Sequence, residues 1–280
     1  GVTFENAFAH GNWTPFSFPG ILGSRSVFAE SETIGLPDSP TLAEVLNEAG
    51  FATGGFNASN GFLTPHWGYD RGFEEFESFI GGDDMNRYQQ YLAAHPTINA
   101  WVQLAASPVR RFVHWLRDGR RDQPFADTSR MLTTENRASR YIEAATEPFF
   151  LWVHYMDTHT PYVPAPQHLR EVTDRGIQTH RLLRTHFRAG RGLEVSDQQL
   201  ADLQALYDGA LRQTDASIGR LRETLTEAGV AEETALIVAG DHGEEFMEHG
   251  NLSHYPKLYD DLVHVPLIVF LPSGEARTVS

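Results

Sequence analysis

The stretch ALIVAGDHGEE, residues 235–245, decides the fold of this chain. Its first five residues are apolar and of strand length, which is typical of a buried strand in an α/β sheet. The strand ends in Asp241 and His242, and the glycines on either side allow the backbone to turn sharply. A carboxylate and an imidazole at the rim of a sheet are suited to bind a divalent metal ion.

These donor types leave the identity of the metal open. Carboxylate oxygen and imidazole nitrogen suit zinc or manganese, and an oxygen-rich remainder of the site also admits calcium or magnesium. An alternative interpretation of the pair is structural, with Asp241 capping a helix and His242 packing in the core.

Length and pattern indicate an α/β protein. The 280 residues, 41% of them hydrophobic, are enough for one large domain. Capping signals predict helices over residues 42–49 and 196–228, and apolar runs predict strands over residues 51–56, 149–154 and 265–271. We interpret residues 1–280 as a single domain with a helical excursion at about residues 85–145.

Composition excludes several classes of function. The formal net charge of -15 argues against a nucleic-acid partner, since a polyanion would be repelled. No apolar run approaches the roughly 18 residues that cross a bilayer, and the N-terminus carries no signal-peptide pattern. We therefore expect no membrane partner and a cytoplasmic location. The absence of cysteine excludes disulfides, thiolate metal sites and a cysteine nucleophile.

Histidines cluster in two further stretches. One is FFLWVHYMDTHTPY, residues 149–162, where Asp157 and His159 follow an apolar strand; the other is EHGNLSH, residues 248–254, which holds His249 and His254. Because ligands of such sites converge from different strand ends, these side chains are candidates for one cluster with Asp241.

A hydroxyl at a helix start is the third candidate element. In NWTPFSFPGILGSR, residues 12–25, Thr14 or Ser17 could be activated by a nearby cation and attack phosphorus or sulfur. The structural alternative is that Thr14 only caps the helix, with Pro15 at its first position.

Taken in order, these segments resemble the sulfatase branch of the alkaline phosphatase superfamily. The similarity covers nearly the whole chain, through the segments GVTFENA (1–7), DRGFEEF (70–76), FFLWVHYMDTHTPY (149–162), GDHGE (240–244), EHG (248–250), LYD (258–260) and HVPL (264–267). The resemblance implies a three-layer α/β sandwich with a mostly parallel central sheet flanked by helices.

The resemblance also implies roles for individual residues. Asp241, His242 and Thr14 would bind a divalent metal ion, and Thr14 matches the position of the nucleophile. His159 and His254 would bind the substrate oxyanion or protonate the leaving group, while Asp157 and His249 would contribute to substrate binding. The expected partner is a small anionic ester; the oligomeric state is left open.

Departures from the family pattern bear on the substrate. Thr14 cannot be matured to formylglycine, and Phe18 stands where that signature has arginine. Tyr255 replaces an anion-binding lysine of many sulfatases, and His254 resembles a histidine of phosphoester-acting relatives. Sulfatase activity and phosphodiesterase or phosphotransferase activity therefore both remain open.

The resemblance further implies a strand with an acidic metal-binding pair before Gly1, which is not among these residues. We expect the chain to lack this N-terminal strand, so the cation would need ligands beyond Asp241, His242 and Thr14. The sequence thus predicts a metal-dependent hydrolase of sulfate or phosphate esters. The alternative is a noncatalytic relative that binds an anion or a partner.

Overall fold

The computed structural model describes residues 1–27, 34–36, 38–79, 130–146, 148–176, 179–189, 193–254, 257–272, 274 and 276–280. Most of the helical excursion that we predict at residues 85–145 lies outside the described residues, as does Tyr255. The last part of that excursion is described and is a helix, Met131–Ala144.

Nine strands and seven α-helices make up the described part of the chain. The strands are β1 (Val2–Phe4), β2 (Ala52–Asn57), β3 (Glu75–Glu77), β4 (Phe149–His154), β5 (Leu236–Ala239), β6 (Glu245–Phe246), β7 (Leu252–Ser253), β8 (Leu267–Phe270) and β9 (Arg277–Val279). The helices are α1 (Thr14–Gly23), α2 (Leu42–Glu48), α3 (Met131–Ala144), α4 (Pro166–Val172), α5 (Thr179–Ala189), α6 (Asp197–Glu227) and α7 (Asp260–Val263). None of the described helices is both long and apolar enough to cross a bilayer.

The strands confirm the α/β fold and lie in two larger sheets and one two-stranded sheet. One sheet has the order β3-β2-β4, and both of its pairings are parallel. The other has the order β5-β8-β1-β9, in which β8 runs antiparallel to β5 and β1. The short strands β6 and β7 form a separate antiparallel hairpin. All neighbouring strands are thus parallel in the first sheet, whereas the second sheet is mixed, with only β1 and β9 parallel.

Local sequence signals correspond closely to the elements. Thr41 caps α2 and Ser196 caps α6, each in a capping box that satisfies the free N–H groups of the first turn. Gly229, with a φ of 76°, follows the long helix and accepts the left-handed backbone that ends it. The apolar run at residues 149–154 coincides with β4.

Helix α1 is anchored beneath β4 by aromatic packing. The ring of Phe18 meets the ring of Trp152 edge-on at 5.7 Å and that of His154 at 5.4 Å. Phe18 and Leu22 also belong to a buried cluster with Leu36, Leu63 and Tyr69. Burial of these side chains is the main stabilising contribution here, and it holds the N-terminus of α1 near the carboxyl end of β4.

A buried polar network joins α3 to α6. Glu135, whose side chain is 11% exposed, accepts hydrogen bonds from Arg220 at 2.6 Å and from Ser217 at 2.5 Å. Tyr155 in turn donates to Ser217 at 3.0 Å, and burial raises the pKa of Tyr155 to about 12. The network therefore links two helices to the residue directly after β4.

Loss of the Glu135 carboxylate should destabilise the fold. We expect Glu135→Ala to lower the free energy of unfolding by about 3 kcal/mol, since Ser217 and Arg220 would lose their shared acceptor. Urea unfolding followed by circular dichroism measures the change. The control is Glu171→Ala, which breaks an exposed pair with Arg212 and should have a much smaller effect. Equal losses in the two variants would contradict the structural role of Glu135.

Candidate functional site

Helix α1 presents Thr14 at its first position. Trp13 is the N-cap residue and makes no side-chain capping bond, and Pro15 follows Thr14 in the first turn. Thr14 is only 3% exposed. Its hydroxyl therefore does not cap the helix, and the contacts that it makes are with the other end of the chain.

Thr14, Asp241 and His242 form a compact group that we call the donor cluster. The Thr14 hydroxyl donates to Oδ2 of Asp241 at 2.9 Å, and its oxygen lies 3.5 Å from Nε2 of His242. The same Nε2 lies 3.6 Å from Oδ2 of Asp241. Asp241 and His242 follow β5 after Gly240, so the strand end meets the helix start.

Hydrogen bonding sets the tautomer of His242. Nδ1 of His242 lies 2.8 Å from the carbonyl oxygen of Gly243, an acceptor, so Nδ1 carries a proton. In the neutral ring Nε2 then has a lone pair directed at Thr14. Since the Thr14 proton is used on Asp241, the oxygen of Thr14 and Nε2 of His242 each keep a lone pair beside that carboxylate.

The charge of Asp241 is stabilised by its surroundings. Burial raises the pKa of this carboxyl, but nearby His242 and His154 and the hydrogen bond from Thr14 outweigh that effect, and the net pKa lies below its usual range. His154 itself is buried at the end of β4, and burial lowers its pKa to about 4. Asp241 is therefore an ionised carboxylate at neutral pH.

Two of the predicted histidines join the donor cluster. The His254 ring lies 4.3 Å from the His242 ring and 5.0 Å from the His159 ring, measured between centroids. Nδ1 of His159 lies 2.7 Å from the carbonyl oxygen of Thr160, so this ring also carries its proton on Nδ1. Burial and the neighbouring His254 lower the pKa of His159 to about 4. His159 is thus neutral at pH 7.

Glu244 belongs to this group although sequence reasoning assigned it no role. Its Oε1 lies 3.1 Å from Nδ1 of His254, and the two side chains are 5% and 9% exposed. Burial raises the pKa of Glu244, but the hydrogen bond with His254 and the nearby histidines outweigh it, and the net pKa is lowered. The sequence feature that could have identified Glu244 is its place in the motif GDHGE, where no role was assigned to this carboxylate.

The structure places two other predicted residues differently. Asp157 accepts a hydrogen bond at 2.7 Å from Gln213 of α6, which ties the loop after β4 to that helix. His249 stacks on Tyr259 at 3.6 Å and lies 3.4 Å from Asp261, so it is not among the rings around the donor cluster. Their predicted roles in substrate binding therefore have no support from contacts with that cluster.

The donor cluster fits part of a divalent metal site. Carboxylate oxygen, imidazole nitrogen and hydroxyl oxygen are all accepted ligands, and their separations of 2.9 to 3.6 Å suit neighbouring ligands on one ion. Within the described ranges, no three His, Cys, Asp or Glu side chains come together as a metal-binding group. A cation held here would accordingly need further ligands besides Asp241 and His242.

Comparison with known proteins gives consistent matches. The family model described as Sulfatase matches residues 1–280. The "Multifunctional alkaline phosphatase superfamily protein PehA" of Trinickia caryophylli is 25% identical over 207 residues, which are 60% of this chain and 40% of that protein. The "Uncharacterized sulfatase YidJ" of Escherichia coli K12 is 29% identical over 161 residues, 51% of this chain and 31% of that protein.

A solved structure shows the same fold. The "Phosphonate monoester hydrolase SpPMH from Silicibacter pomeroyi" superposes with a TM-score of 0.66 at 19% identity, covering 100% of this chain and 63% of that one. The chain thus spans less than two thirds of the length of each of these three relatives.

The turn that carries His242 should not tolerate a side chain at Gly243. A Cβ there would lie 2.0 Å from the carbonyl oxygen of Asp261, so we expect Gly243→Ala to lower the free energy of unfolding by about 2 kcal/mol. The control is Gly219→Ala in α6, where a Cβ meets nothing within 4 Å. This variant should gain about 0.5 kcal/mol from helix propensity. Urea unfolding of both variants checks the contrast, and an unchanged midpoint for Gly243→Ala would contradict it.

Proposed function

The chain belongs to the sulfatase family, and on that premise we propose that the whole protein is a metal-dependent hydrolase of sulfate or phosphate esters. The observation that carries the proposal is the buried contact of Thr14 with Asp241 and His242. In this mechanism Thr14 is the nucleophile, and the substrate is a small anionic ester.

Thr14 is better suited to the attack than Ser17. The hydroxyl of Ser17 donates to the carbonyl oxygen of Gly11 at 2.7 Å and is 1% exposed, so its hydrogen is committed to the backbone. The Thr14 hydroxyl points at a carboxylate instead, and the proton of its O–H bond moves toward Asp241 as its oxygen attacks. This proposal needs no formylglycine.

Asp241, His242 and Thr14 would hold the divalent cation. A bound cation lowers the pKa of a coordinated hydroxyl and neutralises the charge of the ester oxygens. Its identity, among calcium, zinc, manganese and magnesium, is left open by this mixed donor set. The orientation of His242 by the Gly243 carbonyl would keep Nε2 available as a ligand.

The bonds formed and broken balance as follows. The Thr14 oxygen bonds to sulfur or phosphorus, the bond from that atom to the alcohol oxygen breaks, and the leaving alkoxide takes a proton from Nε2 of His254. Water then attacks sulfur or phosphorus and gives a proton to Nε2 of His254. The bond from that atom to the Thr14 oxygen breaks, and Thr14 regains its proton from Asp241. We assign the proton transfer to His254 because its Nδ1 faces a carboxylate, whereas Nδ1 of His159 faces a carbonyl.

A threonine nucleophile favours phosphate diesters and phosphonates over sulfate esters within this family. The name of one protein of similar structure, a phosphonate monoester hydrolase, agrees with that preference. Because sulfate and phosphate esters are both tetrahedral anions, a single site can act on either.

Additional metal ligands are part of the proposal. In the described part of the chain, β4 and β5 are edge strands of separate sheets. His154 at the end of β4 interacts electrostatically with Asp241 just after β5, so the carboxyl ends of the two strands meet. We propose that a strand outside these 280 residues pairs here and adds acidic ligands. Without it, the alternative function is binding of an anion or a partner without turnover.

Replacement of the nucleophile should abolish turnover. We expect Thr14→Ala in the whole protein to reduce kcat/KM at least about 1,000-fold for an aryl phosphate diester and for an aryl sulfate, since no other hydroxyl takes its place. The control is Ser17→Ala, which loses only a bond to the backbone and should retain most of its activity. Retained hydrolysis of both esters by Thr14→Ala would exclude the mechanism.

Metal content distinguishes the hydrolase from the noncatalytic alternative. We expect the whole protein to contain a stoichiometric divalent ion by inductively coupled plasma mass spectrometry. Asp241→Asn and His242→Ala should each lower that content, because each removes a charged or nitrogen ligand. A metal-free wild-type protein after expression with each of the four candidate metals would favour the noncatalytic alternative.

A further inference from the structure

Glu244 is a buried carboxylate to which the mechanism above gives no role of its own. We infer that Glu244 is a positioning residue, which binds Nδ1 of His254 and thereby directs Nε2 of that ring at the ester oxygen that leaves. The inference rests on the proposed function, in which His254 protonates the leaving alkoxide.

The hairpin of β6 and β7 brings the two residues together. In its antiparallel register Glu245 pairs with Ser253 and Phe246 with Leu252. Continuing the register by one residue sets Glu244 opposite His254, and their side chains meet at 3.1 Å between Oε1 and Nδ1. Ser253 has a φ of 73°, a left-handed conformation that turns the chain directly before His254.

The carboxylate of Glu244 has few alternatives to His254. Within the described part of the chain, its only ion pair is with that ring. The hydroxyl of Tyr162, a residue that is 2% exposed, interacts with the same carboxylate. Burial, followed by the charge of Glu244, raises the pKa of Tyr162 well above its usual value, so the phenol stays protonated and can donate.

This geometry suits a ring that gives up a proton and takes it back. In this step His254 starts as an imidazolium, protonated on both nitrogens. With the Nδ1 proton held by Glu244, the ring loses only its Nε2 proton, which passes to the leaving alkoxide to form the alcohol and leaves a neutral ring protonated on Nδ1. The Nε2 lone pair then accepts a proton from the water that cleaves the Thr14 ester. A carboxylate that orients an imidazole in this way is a recurrent device of catalytic sites.

The neighbouring Glu245 supplies a matched comparison. It is fully buried, but its Oε1 accepts the backbone N–H groups of His249 at 2.8 Å and Asn251 at 2.9 Å. Glu245 thus shapes the turn of the hairpin through hydrogen bonds to the backbone. The two adjacent buried carboxylates therefore bind different groups: Glu245 binds backbone N–H groups of the turn, and Glu244 binds the ring of His254.

The test uses the whole protein and a series of esters that differ in the acidity of their leaving alcohol. For Glu244→Ala we expect kcat/KM, which reports only the steps up to release of the alcohol, to fall about 100-fold for a poor leaving group such as an alkyl alcohol. It should fall less than about threefold for nitrophenol, which needs no protonation. Glu244→Gln, which keeps an acceptor without the charge, should fall between. An equal loss for all leaving groups would reduce Glu244 to a structural residue and overturn the inference.

A double-mutant cycle separates action through His254 from general damage. Adding Glu244→Ala to His254→Ala should cause no further loss of kcat, whereas independent effects would multiply and overturn the inference. The control Glu245→Gln should lower stability while leaving the dependence on the leaving group unchanged. If the wild-type protein hydrolyses no ester, the proposed function itself is wrong. If the wild type hydrolyses esters and Glu244→Ala has no effect, only the role of Glu244 is wrong.

A measurement on the wild type covers the case in which the Glu244 variants do not fold. Nitrogen-15 NMR of labelled histidine reports which ring nitrogen carries the proton, with His254→Gln assigning the signal. We expect the proton of neutral His254 on Nδ1, facing Glu244. A proton on Nε2 instead would overturn the inference.

Discussion

The hydrogen bond from Thr14 to Asp241 joins residues 227 positions apart, and the organisation of the site depends on it. Thr14 starts helix α1, and Asp241 follows strand β5 near the other end of the chain. Such a contact forms only when both ends of the chain are folded, because loop closure over this length has an entropic cost. The attacking hydroxyl and the metal-binding pair are therefore assembled by the tertiary fold, not by any local segment.

Around that bond, apolar packing and charge act together. The Phe18 side chain packs against Trp152 and His154, and this contact holds the N-terminus of α1 near the end of β4. Two carboxylates, Asp241 and Glu244, then lie among histidine rings, and the attraction keeps both ionised in spite of burial. Hydrogen bonds orient the rings: a carboxylate faces Nδ1 of His254, and backbone carbonyls face Nδ1 of His242 and His159. The histidines thus differ in the group that orients them, a charged one for His254 and a neutral one for the other two rings.

Much of the fold could be predicted from local signals. Capping residues at Thr41 and Ser196 located two helices to within a residue or two, and the apolar run before His154 located a strand. Membership of the sulfatase family agrees with the order of the motifs. By contrast, the antiparallel course of β8 was not predicted, because an apolar run of strand length is the same in either direction.

The sequence by itself determined the types of group that chemistry requires: a hydroxyl before a proline, an Asp-His pair after a strand, and histidines after two others. Only the tertiary structure decided which of them meet. In the folded chain Ser17 donates a hydrogen bond to a backbone carbonyl, and His249 stacks on Tyr259. The register of the β6–β7 hairpin places Glu244 next to His254. The physical reason is that residue type fixes what a side chain can bind, whereas distance and burial, which come from packing across the whole chain, fix what it does bind.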